Sequence, residues 1–190
     1  MRVLIVLKET PMTEQVDLPF RLLPELEETG SQRELEGVLM LEQIRRGYQV
    51  FQLRAGISYQ LELRNTGDGV LLRGLAQGEG VSECARCLEE AAFAVEGEVE
   101  GYYILKPDEQ ELGLSDDEFT AVGADGVVDL AVPITAAIIY ELPQVLLCSE
   151  DCAGLCPRCG VNLNTESCDC AQKPNPDSPF AKLKDLVDSD

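Results

Sequence analysis

Apolar and polar residues alternate in short runs through the middle of the chain. In ISYQLELRN, Ile57, Tyr59, Leu61 and Leu63 fall on one parity. Successive side chains of a strand point to opposite faces, so this pattern predicts a strand with one buried face. GYQVFQLRAG and GVLLRGLAQGEG read the same way, followed by VSECARC and AAFAVEGEVEGYYIL. NTGDG at 65–69 is a Gly-rich hairpin signal between two of these runs. Residues 48–105 are therefore expected to form an antiparallel meander. Cys84 and Cys87 fall where one strand hands over to the next.

Helical periodicity is rarer. PFRLLPELEE reads as a helical turn or two. DLAVPITAAIIYELP predicts a helix with Asp129 as N-cap and Leu130, Ile134, Ala137, Ile138 and Glu141 along one mostly apolar face. Pro133 falls in its first turn, where proline is tolerated, and Pro143 ends it. SPFAKLKDLV offers Ser178 as a cap, Pro179 at the first helical position, and a stripe of Phe180, Leu183 and Val187. Between meander and central helix, residues 107–129 hold eight acids and no base, with Gly113, Gly123 and Gly126 interspersed, as a solvated connection would. The expected class is α+β: an antiparallel β meander with a few helices and a cysteine-rich zinc-knuckle loop near the C-terminus. Its expected parts are an N-terminal extension at 1–15, a core domain at 16–147 containing the acidic connection, the cysteine-rich loop at 148–171 and a terminal helix at 172–190. Met12 opens MTEQVDLPF, so the first eleven residues read as an upstream-start extension.

Charge narrows the function. The chain has 190 residues, 35 acids against 15 bases, and a net charge of −20. Nucleic-acid affinity rests on Lys and Arg displacing counterions, so a large phosphate-binding surface is disfavoured. Residues 1–64 hold eight bases and ten acids, while 65–190 hold seven bases and 25 acids. Contact with RNA is therefore expected, if anywhere, near Arg45, Arg46, Arg54 and Arg64, or through a basic protein partner that the acidic half attracts. No stretch approaches the about 20 apolar residues of a membrane-spanning helix, and VLIVL is followed by Lys8 and Glu9 without a small-residue cleavage site. A cytoplasmic, reducing compartment is the expectation.

The eight cysteines then carry the chemistry, because the chain has no histidine. Structural disulfides are rare in a reducing compartment. Four thiolates around Zn²⁺ make a closed tetrahedral site, and two such structural sites would use every cysteine. CPRCG supplies a knuckle in Cys156 and Cys159, with Gly160 permitting the tight turn, and Cys168 and Cys170 lie close enough to complete it. Cys84, Cys87, Cys148 and Cys152 would make the second site as a long-range clamp. An exchanged arrangement, with Cys148, Cys152, Cys156 and Cys159 on one ion, stays open on spacing alone. CARC lacks the βαβ context of a redox dithiol, and zinc is favoured over iron in the absence of neighbouring redox partners. A structural zinc contributes about 10–16 kcal/mol, comparable to the about 5–15 kcal/mol of a whole domain. The loop has few large apolar residues beyond Leu155, Val161 and Leu163, so metal is the expected source of its order. No Cys-His or Ser-His-Asp arrangement and no phosphate-binding glycine loop is present, so a non-enzymatic protein is expected.

SECARCL, VDLAVPITAAIIYELP, the string C-S-E-D-C-A-G-L-C-P-R-C-G-V-N-L-N…C-D-C and DSPFAKLKDL, in that order, resemble the YceD family, the large ribosomal RNA subunit accumulation proteins. The resemblance runs from about Val16 to the C-terminus, and MRVLIVLKETP departs from it. It implies a cytosolic, non-enzymatic bacterial protein with plastid relatives, needed for normal levels of 23S ribosomal RNA in ribosome biogenesis. It also implies action alongside a small zinc-binding large-subunit protein. The family's early pair maps onto Cys84 and Cys87 and its later cluster onto Cys148, Cys152, Cys156, Cys159, Cys168 and Cys170. Some relatives keep the early pair while the later cluster is thinned. Partners implied are large-subunit assembly intermediates, with a basic ribosomal protein as the direct contact that the charge favours. The rival reading is a zinc-stapled protein-interaction adaptor unrelated to ribosomes.

Overall fold

The computed structural model describes residues 16–22, 26–104, 120–123 and 125–172. Its centre is the expected meander. Strand β4 (Gln49–Asn65), β5 (Gly69–Glu83) and β6 (Glu90–Ile104) are long and antiparallel, in register over almost their whole length. The NTGDG hairpin forms as read: the Thr66 N–H donates to the Gly69 carbonyl at 2.9 Å, and Asn65 Oδ1 accepts from the Gly67 N–H at 2.7 Å. Alternation along each strand gives one buried face and one wet face. Ile57, Leu61 and Leu63 are buried, with Tyr59 half-buried beside them.

Two further strands flank β4 and share it lengthwise. Strand β2 (Gln32–Leu39) pairs with its second half and β3 (Gln43–Arg46) with its first. A bulge between Leu53 and Ile57 separates the halves, with Gly56 at φ +74°. That conformation is open to glycine without steric cost. Strand β7 (Thr120–Ala121) adds in parallel to the end of β6, giving a six-stranded sheet. A separate two-stranded ribbon joins β1 (Pro19–Arg21) to β8 (Val127–Asp129).

Helix α1 (Ala131–Glu141) lies on the buried face of β4–β6. Ile134 and Ile138 are fully buried beside Leu53 and Phe51, and Phe51 meets Phe93 edge-on at 5.3 Å. Gly97 sits directly under the helix: a Cβ there would lie 2.6 Å from the Ala137 carbonyl oxygen. Both helix ends are tied down. Asp129 Oδ1 accepts from the Ala131 N–H at 2.9 Å and from the Leu18 N–H at 2.8 Å. Its side chain thus serves the helix start from one position outside the cap, which is Leu130 rather than Asp129. At the other end the Arg46 guanidinium donates to the carbonyls of Leu142 and Pro143 and lies over the Phe51 ring at 5.5 Å. A cation at the helix C-terminus satisfies orphan carbonyls and complements the helix dipole.

Several expectations change. The fold is mostly sheet, with one α-helix among the described residues, so α+β holds only coarsely. The segment read as a helical turn begins instead as β1, because pairing with Val127–Asp129 supplies partners that local propensity cannot foresee. Part of the acidic connection is ordered as β7 and β8. The rest of that connection (107–119, 124), the first fifteen residues and the C-terminal helix from residue 173 onward lie outside the described residues. Among the described residues no helix is long and apolar enough to cross a membrane.

The seat of α1 is open to test. Gly97→Ala is expected to cost about 1–3 kcal/mol through overpacking against the helix backbone. Gly101→Ala, whose Cβ would meet Leu72 at an ordinary 3.6 Å, is expected to be neutral or stabilising in denaturant titrations.

Candidate metal centre

All eight cysteines are free thiols, and the fold sorts them into two quartets: Cys84, Cys87, Cys148 and Cys152, and Cys156, Cys159, Cys168 and Cys170. Within each, the four sulfurs lie within 4.8 Å of one another. The exchanged grouping that spacing left open is not the one the fold builds.

The first quartet closes a long loop. Cys84 and Cys87 occupy the turn from β5 to β6, where the Leu88 N–H donates to the Cys84 carbonyl at 3.0 Å. Cys148 and Cys152 follow α1, and they are brought to that turn by the backbone: the Ala85 N–H donates to Leu146 and the Leu155 N–H to Arg86. Arg86 Nη1 donates to the Cys152 carbonyl at 2.9 Å. The Cys84 and Cys152 sulfurs are 3.8 Å apart, and those of Cys87 and Cys148 3.6 Å. A tetrahedral ion with metal–sulfur bonds of about 2.3 Å places its sulfurs about 3.8 Å apart. A disulfide would need about 2.05 Å. The donor set and its spacing fit a metal ion.

The second quartet repeats the knuckle locally. The Gly160 N–H donates to the Cys156 carbonyl at 2.9 Å, the counterpart of Leu88 to Cys84. The residue after the second cysteine is left-handed in both, Leu88 at φ +63° and Gly160 at φ +75°. Arg158 Nη1 donates to the Cys170 carbonyl at 3.2 Å, and Cys170 itself lies in a short 3-10 turn, Asp169–Gln172. This quartet is the more open: Cys156 is buried, Cys159 exposed, Cys168 and Cys170 intermediate.

Asn164 joins the two, a role the sequence reading did not give it. Its Nδ2 donates to the Cys152 sulfur at 3.4 Å, and its Oδ1 accepts from the Ala153 N–H at 2.7 Å. Asn162 Oδ1 in turn accepts from the Asn164 side chain and backbone. The NLN run directly after CPRCG was the available signal, because Asn side chains organise tight turns around a site. Arg46 and Arg64, two of the residues nominated for RNA contact, are already engaged. Arg46 holds the end of α1, while Arg64 bonds Gln32 and pairs with Glu62 at 3.5 Å.

Crowding sets the electrostatics. Burial pushes the Cys84 thiol up, but N–H groups of Cys87, Arg86 and Cys148 outweigh it and bring it down to about 6. N–H groups of Cys159 and Arg158 likewise bring Cys156 to about 6. Asn164 lowers Cys152. Cys87, Cys148, Cys168 and Cys170 are raised in turn. The Glu89 N–H lowers Cys87, yet burial and the other three thiols carry it to about 12, and Cys159 foremost raises Cys170 to about 12. Cys148 is raised chiefly by Cys152. Within each quartet some thiols are lowered and others raised, and a bound cation would favour the ionised form of the raised ones.

A family model described as large ribosomal RNA subunit accumulation protein YceD matches residues 72–187, a stretch containing all eight cysteines. A protein of Mycobacterium tuberculosis (strain H37Rv) is 34% identical over 122 residues, covering 63% of this chain and 58% of the relative. A Mycobacterium leprae protein is 31% identical over 143 residues, covering 74% and 64%. The large ribosomal RNA subunit accumulation protein YCED homolog 1, chloroplastic, of Zea mays is 36% identical over 69 residues, covering 36% and 23%. The chain spans 58% and 64% of the length of these two mycobacterial relatives. No solved structure matches it.

Native mass spectrometry is expected to find two divalent ions per chain, falling to one in Cys152→Ser and in Cys168→Ser. Metal binding displaces protons from the raised thiols, so apparent affinity is expected to rise from pH 6 to pH 8 and to fall on acidification. Leu88→Gly is expected to stabilise the metal-loaded chain by up to about 1 kcal/mol by relieving a left-handed leucine, and Gly160→Leu to do the reverse.

Proposed function

The chain belongs to the YceD family, and from that premise we propose that it is a non-enzymatic factor that supports accumulation of the large-subunit 23S ribosomal RNA. The observation that carries this reading is the family match itself, which spans both quartets and α1. The maize relative carries the accumulation function in its name, and the match places this chain in the same family.

The ion in each quartet is zinc. Four thiolates at tetrahedral spacing suit Zn²⁺, and with every coordination position filled by sulfur no position is left for a substrate. The role is therefore to hold shape. With no histidine in the chain, the usual nucleophile–base pairs are also missing, which supports a binding rather than a catalytic protein. The setting is the reducing cytoplasm, where thiols remain available to metal.

The partners are large-subunit assembly intermediates, reached through a basic ribosomal protein. A net charge of −20 repels phosphate and attracts Lys- and Arg-rich chains, so protein contact is favoured over bare RNA.

Depletion is expected to lower the ratio of large- to small-subunit ribosomal RNA selectively, with the wild-type chain restoring it. An unchanged ratio would reject the ribosomal role and leave a zinc-stapled adaptor. Restoration by Cys168→Ser but not by Cys84→Ser would assign the requirement to the quartet that clamps the sheet.

A further inference from the structure

The wet face of the sheet has a composition that stability alone does not explain. Cross-strand register places Glu34 opposite Glu62, and on the same row Arg73 and then Glu100. The next row runs Glu36, Gln60, Leu75, Glu98, and the next Val38, Ser58, Gln77, Glu96. Like charges directly opposite across a strand pair are destabilising. The two arginines nearby are partly spent within the face, Arg73 on Glu100 at 3.9 Å and Arg64 on Glu62 at 3.5 Å. Six glutamates therefore border a surface with little internal cation to balance them.

That surface is also hollow. Three adjoining depressions of about 770, 390 and 460 Å³ cross it. The first two share Leu75, and the last two share Val38, Ser58 and Gln77, so they form one trough. Two apolar side chains lie bare in it among Ser58, Gln60 and Gln77: Val38 is 50% exposed and Leu75 41%. The trough begins at the glutamates of β2 and ends beside Glu96, where Leu75, Glu96 and Glu98 also border a depression shared with Pro133, Ala136 and Tyr140 of α1.

We propose that this trough is the docking surface for a Lys/Arg-rich polypeptide segment, resting on the reading above that a basic protein is the partner. The chemistry of Lys and Arg matches both parts of the surface. Their aliphatic stems lie on apolar floor such as Val38 and Leu75, while their charged heads reach the glutamates at the rim. A phosphate backbone meets repulsion from the same glutamates. A neutral apolar segment would bring no cation to the six glutamates, of which Arg64 and Arg73 pair with Glu62 and Glu100 and Gln77 bonds Glu96.

The test uses the full, metal-loaded chain and a fluorescein-labelled Lys/Arg-rich peptide, with anisotropy as the readout. Glu36→Gln/Glu62→Gln/Glu98→Gln is expected to weaken binding about tenfold or more, with the melting temperature unchanged or raised. The same number of exposed charges removed elsewhere, Glu28→Gln/Glu150→Gln/Glu166→Gln, is expected to weaken it less than about twofold. Leu75→Ser is expected to weaken it at high salt as well as low, since the floor contact is not screened. Equal losses from the two triple variants would overturn the trough in favour of diffuse attraction, as would no loss from the first. Tighter binding of a single-stranded RNA oligonucleotide than of the peptide would overturn the choice of partner. Gradient sedimentation separates this proposal from the ribosomal reading. A chain that binds the peptide through the trough but never migrates with large-subunit precursors sinks only the ribosomal role. A trough variant that still migrates with them sinks only the trough.

Discussion

Four sulfurs from two distant parts of the chain meet at the tip of the β5–β6 turn. Cys84 and Cys152 are 68 positions apart in sequence and 3.8 Å apart in space. Closing so long a loop costs chain entropy, and crowding four thiols adds repulsion between their ionised forms. A single divalent cation held there would remove both difficulties by converting repulsion into coordination. The backbone bonds from Ala85 to Leu146 and from Leu155 to Arg86 hold the two halves in place around it. The segment after α1 contributes few buried apolar side chains, Leu146, Cys152 and Cys156 among them, so its order depends on this junction.

Precision at the junction is inherited from α1. The helix is seated by Gly97 on β6, started by Asp129 and held at its end by Arg46 from the β3 side of the sheet. Because Cys148 follows only a few residues after that end, fixing Leu142 and Pro143 fixes where the first sulfur of the pair arrives. The second quartet is an appendage of the first. Asn164 reaches back to the Cys152 sulfur, and Leu163 bonds to Gly154, so order passes outward from the sheet to the more exposed knuckle. The two knuckles share a backbone but not a residue at the left-handed position. The buried one tolerates Leu88 there, whereas the exposed one uses Gly160.

The sheet divides labour between its faces. One face packs Phe51, Leu53, Ile57 and Phe93 under α1, while the other carries glutamates around a shallow apolar floor. The acidic balance of the chain is thus partly organised rather than evenly spread. The buried cluster under α1 and the thiol junction at one end of the sheet hold that surface in a fixed shape.

Local features are legible in the order of residues alone. Period-2 alternation marked β4 to β6, NTGDG marked their hairpin, the apolar face of Ile134 and Ile138 marked the helix, and eight cysteines without histidine marked two sulfur quartets. The alternation, the hairpin and the helix face are each written within a few neighbouring residues, where side-chain direction follows backbone period. Pairing between distant segments depends on the folded arrangement. Pro19–Arg21 became a strand because Val127–Asp129 offered it partners, and Arg46 became a helix cap rather than a free cation because β3 delivers it to Leu142. The grouping of Cys148 and Cys152 with Cys84 rather than Cys156 was undecidable from spacing, since a short connection satisfies either choice. The helix settled it by delivering the chain to the far end of a hairpin, a matter of three-dimensional placement that no local pattern encodes.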